Sequence, residues 1–153
     1  MPAYVYRLVN VFTQARAPLT GNPLCVFERA QSLDAPRMQA LALQFNLSET
    51  TFILPSERAS ARVRIFTPGY ELPFAGHPTL GTAHVCRALG LGGDRITLEM
   101  AVGVFDCSVQ RSAAARTTMT PAAISSVMRS PPRPSARQTC AVPSVGCPAK
   151  GSS

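Results

Sequence analysis

FTPGYELPFAGHPTLGTAHV, Phe66 to Val85, is the stretch whose reading decides the fold. Its first half is broken by Pro68, Gly69 and Pro73; its second half, from Pro78, is apolar on most sides. Proline suits the first turn of a helix, because its missing N–H would have no intrahelical partner there. A helix is predicted from Pro78 to Leu89, ended by Gly90 and the pair Gly92-Gly93. Leu80, Ala83, Val85, Cys86 and Ala88 leave it few polar faces, and a helix of that kind is buried. It is therefore expected inside a domain, with sheet around it.

The flanking sequence supplies the sheet. Thr50 to Leu54 and Ala61 to Phe66 read as a hairpin turned at 55–60, and Arg95 to Met100 with Val102 to Val109 as a second strand pair turning near 101–103. Further upstream, YVYRLVNVF (Tyr4 to Phe12) alternates and is β-branched and aromatic, and Gly21-Asn22-Pro23 breaks the chain before Leu24 to Phe27. Between these strands Asp34 can cap a helix, Pro36 sits in its first turn, and Met38, Leu41, Ala42 and Phe45 recur at helical spacing. This predicts an amphipathic helix over 35–45, closed by Asn46. The fold class is α+β.

Beyond Asp106 the composition changes. All eight acidic residues lie in 1–106, against nine arginines, so that part is nearly neutral. Residues 107–153 hold no acid, leucine or aromatic, but carry six prolines, five arginines and Lys150, and so most of the formal +7. Periodicity is lost after Val109, and 119–153 is too poor in large apolar groups to offset its ordering entropy. The expected organisation is one domain over 1–110 and a low-complexity basic tail over 111–153, disordered. Without aromatics for base stacking, and with its charges spread, the tail does not point to a nucleic-acid partner. No run reaches the ~18 apolar residues of a membrane span, and Met1 to Gln14 lacks a leader pattern, so no membrane partner and a cytoplasmic location are expected. Cys25, Cys86, Cys107, Cys140 and Cys147 show no metal or disulfide spacing and read as free structural thiols.

The candidate chemistry is sparse. Glu49, in NLSETTFIL, enters an apolar strand with Ser48, Thr50 and Thr51 beside it, a setting that can tune a carboxylate for acid/base work; the same spacing also fits a strand-edge glutamate in water. Gly76 and His77 precede Pro78 at a helix start, where backbone N–H groups favour a carboxylate or a developing negative charge; a capping histidine fits equally. Glu71 is expected to anchor this loop through backbone hydrogen bonds rather than act as a second acid. Asn22 reads as a turn residue first and a substrate contact second. His84 lies about 10.5 Å along the helix from His77, too far to share a metal, and reads as a core or surface histidine. No P-loop, dinucleotide-binding glycine pattern or serine elbow is present, so no cofactor is signalled.

Four ordered segments, VNVFT (Val9 to Thr13), GNPLCVF (Gly21 to Phe27), LSETTFILP (Leu47 to Pro55) and the opening block, make residues 4–109 resemble the N-terminal half of the PhzF-like phenazine-biosynthesis proteins, relatives of diaminopimelate epimerase. The resemblance implies one diaminopimelate-epimerase-like lobe, a mixed sheet curled around a central buried helix. It also implies a cofactor-independent isomerase that shifts a proton on a small carboxylate-bearing metabolite, needing no metal. Glu49 matches the family's acid/base glutamate, Gly76 and His77 its substrate-binding helix start, and Ser48 a lesser substrate contact. The family's second lobe has no counterpart after about Val109 to Arg111, where the Arg, Pro, Ala and Ser bias suggests a frameshifted or truncated member. Impaired activity is then expected, together with an exposed cleft face open to homodimerisation. The alternative is a non-catalytic single lobe that binds a ligand or a protein.

Overall fold

The computed structural model describes residues 3–14 and 20–110, together with the strands at 116–121 and 140–141. The chain runs β1 (Tyr6–Val11), β2 (Asn22–Phe27), α1 (Ala35–Phe45), β3 (Glu49–Leu54), β4 (Ala61–Phe66), β5 (Glu71–Leu72), α2 (Gly76–Ala88), β6 (Arg95–Met100), β7 (Gly103–Gln110), β8 (Arg116–Pro121) and β9 (Cys140–Ala141). One sheet takes the order β1-β2-β3-β4-β6-β7-β8-β9, with β5 paired to β4 off that path. The β2–β3 and β4–β6 pairs are parallel and the others antiparallel, so the sheet is mixed.

The two parallel pairs explain where the helices lie. Both crossovers, β2-α1-β3 and β4-α2-β6, step the same way across the sheet, but on strands of opposite direction. Crossovers of one hand must then put α1 and α2 on opposite faces. Period-two alternation serves both faces. Leu24, Val26, Ile53, Val63 and Ile65 join the core that holds α2, whereas Cys25, Phe27, Phe52 and Phe66 join the smaller core under Met38 and Ala42 of α1. The sheet curls around α2, which buries every residue from Pro78 to Ala83 as well as Val85 and Cys86. Gly81 marks the tightest approach: a Cβ there would come within 2.7 Å of Leu24 Cδ2 and 2.9 Å of Val11 Cγ2. The expected α+β lobe with a central buried helix is the observed architecture.

Local expectations hold where signals are local. Asp34 accepts from the Arg37 N–H at 3.0 Å, Pro36 lies in the first turn, and Asn46 closes α1 in the left-handed region at φ 49°. α2 starts at Gly76, two residues before Pro78, because proline is tolerated anywhere in a first turn that lacks N–H partners. Two features were not anticipated. β5 is two residues long and shows no period. β8 pairs antiparallel with β7 beyond the point where periodicity ends, since ladder hydrogen bonds need backbone rather than apolar side chains. β8 and β9 thus lie within the stretch read as tail; the disorder expected of the remaining tail residues concerns positions outside the described residues. Among the described residues no helix is long and apolar enough to cross a membrane. Cys25, Cys86 and Cys107 are free and buried, and burial pushes each thiol up to about 12, so they are inert packing groups. The other two cysteines lie outside the described side chains.

Candidate active site

Topology delivers the candidate residues to one end of the sheet. Parallel pairing of β2 with β3, Leu24 opposite Glu49, places the starts of both strands together, and with them Asn22, Ser48 and Glu49. β4 runs antiparallel to β3 and ends where β3 begins, Phe66 opposite Thr50. The chain then turns through 67–70, with Thr67 Oγ1 accepting from the Gly69 and Tyr70 N–H groups, and starts α2 at that same end. Ala75 is the N-cap and offers no side-chain cap. The first helical bond runs from the Thr79 N–H to the Ala75 carbonyl, and Pro78 has no N–H, so Gly76 and His77 present the amides of the helix end.

Four side chains form a line. Ser48 Oγ lies 3.0 Å from Asn22 Oδ1, Asn22 Nδ2 is 3.3 Å from His77 Nδ1, and His77 Nε2 is 3.4 Å from Glu49 Oε2. The His77 and Glu49 side chains are 9% and 19% exposed. Glu49 Oε2 and His77 Nε2 are themselves buried and complete no hydrogen bond. A buried polar pair left in that state is costly and marks a place for a ligand group. The residues singled out in the sequence are thus brought together, with one change of role: Asn22 is a ring contact of His77 as well as the first residue of β2. Glu71 stands apart. It is anchored by Arg64, whose Nε and Nη2 each lie 2.6 Å from a carboxylate oxygen, and not by the backbone hydrogen bonds expected. Among the described residues no cluster of three or more His, Cys, Asp or Glu could hold a metal ion.

A family model of phenazine biosynthesis-like proteins, PhzC-PhzF, matches residues 9–140. The chain belongs to the PhzC-PhzF family. The match runs past Val109 to Arg111, beyond the end of the resemblance carried by the sequence motifs. An uncharacterized isomerase of Mesorhizobium japonicum is 47% identical over 110 residues, covering 69% of this chain and 36% of that protein. A trans-2,3-dihydro-3-hydroxyanthranilate isomerase of Pseudomonas aeruginosa is 44% identical over 108 residues, 70% of this chain and 38% of the enzyme. The crystal structure of a Bacillus anthracis phenazine biosynthesis protein of the PhzF family superposes with a TM-score of 0.69 at 31% identity, over 77% of this chain and 40% of that one. The chain therefore spans a little over a third of the length of these two relatives.

Within this PhzF-type lobe both histidines resist protonation. Burial lowers His77 from its ordinary 6.5, against an opposing pull from Glu49. Burial, then the positive charges of Arg87 and Arg7, lower His84, whose Nδ1 is buried without a partner. Unfolded histidines take up protons near 6.5, and the folded ones only at lower pH. Stability is thus full above 6.5 and falls as the pH drops from there through the folded values, where unfolding takes up protons. The urea midpoint is expected to decrease between about pH 7.5 and pH 5.5, and His84→Gln is expected to flatten part of that fall.

The turn before Asn22 was not foreseen as part of the site. Phe12 adopts φ 65°, a left-handed conformation costing a bulky residue about 1–2 kcal/mol, and a Cβ on Gly21 would meet the Val11 carbonyl oxygen at 2.4 Å. Both positions hold the start of β2, which pairs Val11 with Asn22. Their signal in the sequence was the break at Gly21-Asn22-Pro23, which marks a turn without saying what it aims at.

Proposed function

We propose that this lobe carries the acid/base wall of a PhzF-family isomerase acting on a small carboxylate-bearing metabolite, of the kind named for the Pseudomonas relative. The observation that carries it is the pair Glu49 Oε2 and His77 Nε2, buried, 3.4 Å apart and without hydrogen bonds. Glu49 removes a proton from a carbon activated by an adjacent unsaturated or carbonyl system and returns it to another carbon of that system. Bond changes balance within the substrate, so the reaction calls for neither metal nor coenzyme. Gly76 and His77, at the positive end of α2, hold the substrate carboxylate and steady the charge that develops. Ser48 and Asn22 line the same end.

Because the chain spans little over a third of its relatives' length, we propose that full turnover by it is impaired and that proton abstraction is the part it retains. The test is to incubate the chain with trans-2,3-dihydro-3-hydroxyanthranilate in D2O and follow deuterium entry by NMR, beside calorimetry with anthranilate. Exchange together with anthranilate binding supports the isomerase reading. Binding without exchange leaves a ligand-binding lobe, and neither removes the reading.

A further inference from the structure

We propose that Asn22, oriented by Ser48, holds His77 as the neutral imidazole protonated on Nε2. Asn22 is then a positioning residue, and the hydrogens along the line of four side chains run one way, from Ser48 through Asn22 to a His77 N–H that lies beside Glu49. The inference rests on the proposed function only for its catalytic consequence, since the state of the ring is a property of the folded chain.

The direction can be read from both ends. At the Glu49 end, His77 Nε2 and Glu49 Oε2 lie 3.4 Å apart, both shielded from water. Only a proton on Nε2 makes that contact attractive to a carboxylate; a bare Nε2 would set two lone pairs against each other in a medium that amplifies the cost. A neutral ring protonated on Nε2 has a bare Nδ1, which needs a donor. Asn22 Nδ2 supplies it at 3.3 Å. The amide then turns its oxygen the other way, where Ser48 Oγ–H donates to Oδ1 at 3.0 Å. The two hydrogen bonds are satisfied when the hydrogens run from Ser48 to Asn22 to His77, which leaves the Nε2–H beside Glu49, completing no hydrogen bond there and open to a ligand.

The opposite arrangement turns the Asn22 amide over, so that its oxygen accepts from Nδ1–H and Ser48 accepts from its NH2 group, and it fails at the other end, where a bare Nε2 faces Glu49 Oε2 at 3.4 Å. Burial of the ring adds to the cost of the imidazolium, and Glu49 on β3 is the charged group that pulls the other way; Asn22 on β2 and Ser48 in the loop before β3 are neutral. Asparagine differs from aspartate at this position in one decisive respect. A carboxylate can only accept, and would draw a proton onto Nδ1. With asparagine, His77 offers a neutral N–H to a substrate oxygen without adding a positive charge beside Glu49.

The chain's two histidines make the test direct. Long-range proton–nitrogen NMR spectra of the full chain, with His84→Gln used to assign the signals, report which ring nitrogen carries the proton. The expected result is a protonated Nε2 and a bare Nδ1 for His77 at neutral pH. Asn22→Asp is isosteric and keeps an acceptor for Ser48; it is expected to move the proton to Nδ1 and raise the pH at which His77 titrates by about one pH unit or more. Ser48→Ala frees the amide to turn and is expected to give both tautomers. A wild-type His77 protonated on Nδ1 overturns the proposal whatever the variants do, as does an Asn22→Asp chain whose ring is unchanged. These spectra need no substrate. Failure of deuterium exchange with the Nε2–H tautomer present would sink the proposed function alone, and exchange with the other tautomer would sink this inference alone.

Discussion

Glu49→Gln is expected to slow deuterium entry into the substrate by ~10²–10⁴-fold, the span over which a positioned acid/base group acts. Binding of anthranilate should survive. Glutamine fills the same volume at the start of β3 and keeps an oxygen beside His77 Nε2, so the geometry around the ring is retained while the base is lost. The expected signature is therefore a lost rate with an unchanged dissociation constant, which separates a chemical role from a structural one. Unchanged exchange would remove Glu49 from the mechanism. His77→Ala should do the reverse, weakening anthranilate binding, because it removes the buried Nε2 at the end of α2 that completes no hydrogen bond within the chain.

Phe52→Ala is expected to cost ~3–5 kcal/mol of folding stability, the usual range for deleting a fully buried phenylalanine. Phe52 is 0% exposed on β3, stacks on Phe27 at 4.9 Å and meets Phe66 edge-on at 5.4 Å. Phe27 in turn meets Phe45 of α1 edge-on at 5.7 Å, so the ring is the centre of the aromatic core that fastens α1 to the sheet. A domain of this size commonly has only about 5–15 kcal/mol in hand. Urea titration should show a large fall in midpoint with an unaltered slope, and Phe52→Leu should restore part of it, since leucine refills much of the space but makes no ring contacts with Phe27 and Phe66. A loss below about 1 kcal/mol would mean that the site collapses freely around the deletion. Because Phe52 follows Glu49 by three residues on the same strand, a chain that survives Phe52→Ala should also exchange more slowly, through a loosened β3 and not through lost chemistry.

Much of this molecule could be read along the chain because its signals are local. Asp34, Pro36 and Asn46 bound α1 by capping chemistry confined to a few residues, and the alternation of Leu24 to Phe27 between two cores is a property of one strand. The all-round apolar character of Leu80 to Cys86 announced a central helix, and the block around Gly76 and His77, with LSETTFILP, carried the family likeness. β5 and β8 were invisible for the complementary reason: pairing draws on backbone groups that every residue has, and their partners are elsewhere in the sequence.

The site divides along the same line. Glu49, Gly76 and His77 could be named from residue type and position, because a carboxylate at a strand entry and a glycine-histidine pair at a helix start carry their chemistry with them. What those groups do to one another could not. Asn22 and His77 are 55 residues apart, and Glu71 finds Arg64 across a turn rather than the backbone of its own loop. Residue types and local periods determined the elements, the central helix and the candidate acid/base group. The parallel pairing of β2 with β3 and the return of β4 beside them decided which side chains meet, because a hydrogen bond has a direction only once both partners are in place.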